Sequence, residues 1–154
     1  MATIPGGWKS SVRRLCIMIR ELRLLWTRFS PLEQQLFSAV RDILPASAVS
    51  IFDAQVAAIN RVQRMPPDWS EIDFYRMERG TVNWSDIPLF PVLDEFQLAK
   101  VGFRVAGQYY KAVLSGVRGH IFDFAIAPGP RKIAFEAWSE APTARLLEYC
   151  VPQV

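Results

Sequence analysis

QLAKVGFRVAGQYYKAVLSGVRGHIFDFAIA, residues 97–127, alternates apolar and polar side chains over most of its length. A period of two sends successive side chains to opposite faces of an extended chain, so this run reads as β-structure. Ala99, Val101, Phe103 and Val105 share one side of the first strand, with Leu98, Lys100 and Arg104 largely on the other. Gly107 permits a turn or bulge. QYYKAVLSGVR continues as a second strand, broken or bent at Gly116 and Gly119, and HIFDFAIA is a third. RKIAFEAW supplies a fourth, reached through Pro128-Gly129-Pro130 as a hairpin turn in which Gly129 is free to take positive φ. Four consecutive strands with short connections predict an antiparallel meander.

The chain before this run changes period. Over residues 8–29, Val12, Leu15, Cys16, Ile19, Leu22, Trp26 and Phe29 recur at steps of three and four, which predicts a helix with Arg13, Arg20 and Arg28 on its outer face. Ser30, Pro31 and Glu33 form an N-terminal signature for a second helix over 31–43, which Pro45 ends. The same spacing over 46–64 predicts a third helix, stopped by Met65-Pro66-Pro67. A short helix over 142–149 closes the chain. The expected fold is α+β: three N-terminal helices packed on a C-terminal four-stranded antiparallel meander, plus that short C-terminal helix. It is read as a single domain, 1–154, with a helical part at 8–64, a Pro- and aromatic-rich connecting segment at 66–97 and a sheet at 98–138.

The totals narrow the classes of function. With 154 residues and 51% apolar composition, the chain can bury a core without a metal or disulfide staple. Its formal net charge is +3, but Lys9, Arg13, Arg14, Arg20, Arg23 and Arg28 against Glu21 place the excess in the first helix, and the remainder is acidic. That distribution argues against a nucleic-acid-binding surface spread over the domain. No apolar stretch is long enough to span a bilayer, and the interrupted N-terminal run argues against a secretory signal, so the expected location is cytoplasmic. Cys16 and Cys150 are too far apart in sequence to suggest a metal knuckle, and with one histidine no zinc spacing exists. The reading assigns no metal and no cofactor.

No GxSxG elbow, HExxH or phosphate loop occurs, and no catalytic residue is assigned. The lone His120 and Asp123 look like an acid–base pair in the linear text. Strand parity, however, sets His120 with Phe122, Phe124 and Ile126 and sends Asp123 to the other face, unless a bulge lies between them. The reading preferred is a non-catalytic protein-binding module, such as a small cytosolic adaptor or a toxin-neutralising immunity-type protein, or a chain that associates with itself. Its expected surface is the acidic, aromatic stretch carrying Trp69, Glu71, Asp73, Tyr75, Trp84 and Phe90. The alternative is a small enzyme or ligand-binding domain with a pocket between a curved sheet and the helices, lined by Tyr75, Arg104, Tyr110, His120 and Asp123. A second alternative is attachment to an anionic membrane or nucleic acid through helix 8–29 and its Arg13, Arg20 and Arg28 face.

Overall fold

The computed structural model describes residues 29–147. Helix 8–29 and its Arg13, Arg20 and Arg28 face therefore lie, apart from Phe29, outside the described residues, as do Cys16 and Cys150.

Helix α1 (Pro31–Ile43) starts where its capping residues require. The Ser30 hydroxyl accepts from the Glu33 amide at 3.2 Å, and the Ser30 amide donates to Glu33 Oε2 at 2.7 Å, which satisfies two otherwise orphaned donors. Leu32, Leu36, Phe37 and Val40 turn inward from it. Helix α2 (Ala46–Ala58) follows after Pro45 and buries Ala48, Phe52 and Gln55.

The helix expected over 46–64 stops at Ala58, and Arg61–Arg64 forms strand β1 instead. Val62 fits either period, because it lies three residues after Ile59 and also alternates with Arg61 and Gln63. What decides is a partner strand: β1 pairs antiparallel with β2 (Glu71–Tyr75), with Val62 opposite Phe74 and Arg64 opposite Ile72. A ribbon of β3 (Met77–Glu78) and β4 (Thr81–Val82) follows. The long strands are β5 (Glu95–Val105), β6 (Gln108–Val117) and β7 (His120–Ala127), and β8 (Thr143–Leu146) is the last.

Among the described residues there are thus two helices, a six-stranded antiparallel sheet in the order β1-β2-β7-β6-β5-β8, and the separate two-stranded ribbon. This replaces the expected three helices on a four-stranded meander. The α+β class stands, as do the strands read at 97–127. The fourth strand does not: Arg131–Ile133 is a single 3-10 turn, and the side of β7 it was to occupy is taken by β2. Pro128-Gly129-Pro130 accordingly redirects the chain instead of forming a hairpin, and the Leu32 amide donates to the Ala134 carbonyl at 3.2 Å. The C-terminal helix is also overturned. Residues 143–146 have helix-forming side chains, yet the free edge of β5 offers backbone partners, and Leu146 pairs with Ala99 there.

The β5–β6 and β6–β7 connections are two-residue hairpins, Ala106-Gly107 and Arg118-Gly119, with positive φ at both positions, the turn whose twist suits antiparallel strands. Both helices cover one face of the sheet. Phe37 lies at the centre of that interface, with ring centroids 5.1 Å from Phe74, 5.1 Å from Phe124 and 6.0 Å from Phe52. Leu36, Leu98, Val101, Phe103, Leu114 and Ile121 fill the space around it. The region between helices and sheet, where the alternative reading set a pocket, is packed with side chains.

Candidate functional site

The opposite face of the sheet carries the polar side chains, and strand register decides which of them meet. Asp73 on β2 stands directly opposite Asp123 on β7, and Asp123 is opposite Ser115 on β6, which is opposite Gln97 on β5. Two residues along the strands, a second row runs Glu71, Ala125, Val113, Lys100 and Arg145. Directly opposed side chains in antiparallel strands lie about 5 Å apart at Cβ, so Asp73 and Asp123 are a like-charged neighbour pair.

A cleft of about 1140 Å³ opens over this face, with Glu71, Glu95, Ser115, Phe122, Asp123 and Arg145 in its walls and Leu146 and Leu147 at one side. Burial holds the Asp123 carboxyl up to about 6, and the negative charges of Asp73, Glu71 and Glu95 push in the same direction. Asp73 is only 7% exposed, and burial raises its pKa too, opposed by a hydrogen bond that Tyr75 Oη donates to Asp73 Oδ2 at 3.2 Å. The other oxygen, Asp73 Oδ1, is buried without a hydrogen-bond partner. Arg61 on β1 stands opposite Tyr75, so a cation borders the acidic side of this face.

Farther along β5, β6 and β8, beyond Glu95, the same face carries the opposite sign. Lys100 and Arg145 are directly opposed, and Lys111 lies close enough that its charge, followed by desolvation and Arg145, lowers the Lys100 pKa. Like charges set opposite one another across a ladder cost free energy unless something else compensates them. The arrangement can bind opposite charge at either half, and its carboxylate pair can hold or release a proton near neutrality.

The bulge that parity reasoning had to allow for is present. Ser115 pairs with Asp123 and Gly116 with Ile121, so Phe122 is the extra residue and the alternation breaks there. Ile121 and Phe124 are both buried, while Phe122 and Asp123 both face the cleft. His120 is occupied elsewhere: its ring stacks on Trp84 at 4.7 Å and 10°, its Nδ1 lies 3.2 Å from the Ile121 carbonyl, and burial lowers its pKa. Gly116 sits beside the bulge because a Cβ there would run into the Phe96 ring and the His120 carbonyl.

The residues expected at an interaction surface divide in two. Glu71 and Tyr75 lie on the cleft face with at least partial exposure and Asp73 is on that face but buried at 7%, whereas Trp69, Trp84 and Phe90 are buried at 4%, 7% and 2% exposure. Of the residues assigned to a pocket, Tyr75 and Asp123 are together on this face. Tyr110 is buried against Phe103, and Arg104 pairs with Glu140 and lies over the Tyr109 ring. Sequence reading missed Glu95, Lys100, Lys111 and Arg145 as members of one surface. Alternation identified the face of Lys100, but only register brings the others beside it.

Among the described residues, no group of three or more His, Cys, Asp or Glu side chains is placed to hold a metal ion. No helix among them is long and apolar enough to cross a membrane. Comparison with family models, with curated proteins and with solved structures finds no match, so this face is interpreted from its own chemistry.

Proposed function

We propose that the chain is a protein-binding module whose cleft-bearing sheet face receives a cationic surface of its partner. The observation that carries this reading is the pair of desolvated, mutually repelling carboxylates Asp73 and Asp123, with the exposed Glu71 two residues along β2 from Asp73. An incoming Lys or Arg beside Asp123 and Glu71 relieves that repulsion. Phe122 and Tyr75, whose rings meet edge to face at 5.8 Å, add apolar contact area beside the charge.

The test is calorimetric titration with an oligolysine peptide at low and high salt. Binding that weakens with salt, and weakens further in Glu71→Lys, is expected. No binding by a wild-type chain that is monomeric, or equal binding by the variant, would remove the basis for the proposal.

A second reading, a small enzyme, is favoured by one observation: a cleft carboxyl at about 6 beside a second carboxyl is suited to general acid–base work. Turnover of any substrate that is lost in Asp123→Asn while oligolysine binding survives would support it over the binding module.

A further inference from the structure

We infer that the cationic partner of this face is a second copy of the chain, and that two copies pair face to face about a twofold axis. The inference rests on the binding-module reading and names its partner. A twofold interface uses one patch on both copies, so the patch must be complementary to itself. The row Glu71, Ala125, Val113, Lys100, Arg145 has that property: an anion at one end, small apolar side chains in the middle, and cations at the other end.

Glu71 and Lys100 are separated by three strand spacings, about 14 Å across the sheet. An axis lying between the two faces, parallel to the strands and passing between β7 and β6, exchanges β2 with β5 and β7 with β6. It sets Glu71 over the other copy's Lys100, Ala125 over its Val113 and Asp123 over its Ser115, each contact occurring twice. The strand axes of the two sheets are then nearly aligned, the usual geometry of aligned sheet packing, with facing strands antiparallel. The same operation pairs one member of the acidic group with one member of the basic group, twice. Glu71 gains a cation and Lys100 an anion, while Asp123 faces the uncharged Ser115 in place of a further carboxylate. An unrelated cationic partner would satisfy only the acidic half and leave the basic group as it is.

The experiment is sedimentation equilibrium of the full chain at micromolar concentration and moderate salt, with Glu71→Lys and Lys100→Glu measured separately and mixed. A dimeric wild-type chain is expected, with dissociation constants raised at least about tenfold in each variant alone because like charges then face each other. Mixing the two variants restores dimers at near wild-type affinity, since every contact is again between opposite charges. Restoration also shows that both variants are folded. A monomeric wild-type chain overturns the inference, and so do variants that stay dimeric or a mixture that stays monomeric. If the chain is monomeric yet binds oligolysine, the self-pairing fails while the binding-module reading stands. If it does neither, both fail.

Discussion

Arg64 on β1 donates to both carboxylate oxygens of Glu33 on α1, at 2.6 and 2.7 Å, and neither side chain has any exposure to solvent. The Glu33 carboxylate also accepts from the Ser30 amide that begins α1, and the Arg64 guanidinium lies 5.3 Å over the Trp69 ring. One buried pair therefore fastens the start of the first helix to the edge strand and to the loop beyond it. Removing one partner leaves a charge in the core. Arg64→Leu is expected to cost about 3–5 kcal/mol in urea unfolding, while Glu33→Leu combined with Arg64→Leu costs clearly less. Equal costs for the single and double variants would mean the pair contributes little.

Asp123 gives the fold a pH dependence whose sign can be worked out. Its folded value of about 6 lies above the ordinary carboxyl value near ~4, so between them the folded chain binds more protons than the unfolded one. Stability from this group is present at low pH and is lost as pH rises through about 6. Asp123→Asn is expected to be more stable than wild type at pH 7.5, by about 1–2 kcal/mol after discounting for solvent screening of a half-buried group. The advantage should shrink below pH 5. Thermal unfolding across pH 4–8 checks this, and a constant difference across that range would count against it.

Gln55 is fully buried and joins α2 to the β6–β7 turn: its Nε2 donates to the Pro88 and Gly119 carbonyls, each at 2.9 Å, and its Oε1 accepts from the Ile121 amide at 2.8 Å. Gln55→Leu keeps a similar volume but strands those backbone groups. A loss of about 2–4 kcal/mol is expected, with faster hydrogen exchange at the Ile121 amide. Unchanged exchange there would contradict the role.

At Gly116 a methyl group has no room between the Phe96 ring and the His120 carbonyl. Gly116→Ala is expected to cost about 1–3 kcal/mol by overpacking. Gly107 takes positive φ but faces open space, so Gly107→Ala should cost only about 1 kcal/mol through backbone strain. Chemical denaturation of the two variants side by side checks the order.

Some of this architecture follows from local chemistry alone. The Ser30-Pro31-Glu33 signature starts α1 because a capping box is completed within a few residues, and the strands of 97–127 follow because alternation and X-Gly turns are properties of neighbouring positions. What local chemistry leaves open is which strand lies beside which. Val62 suits a helix or a strand until β2 is beside it, and residues 143–146 are extended only because β5 has an unpaired edge. Likewise Asp73 and Asp123 are fifty positions apart, and nothing in either neighbourhood signals that β2 inserts against β7 to set them face to face. The sequence by itself determined the start of α1 and the three extended strands of 97–127 with their turns. Only the tertiary structure decided the order of the strands, the bulge at Phe122 and hence the separation of one sheet face into acidic and basic halves, because those depend on backbone hydrogen bonds between segments remote in the chain.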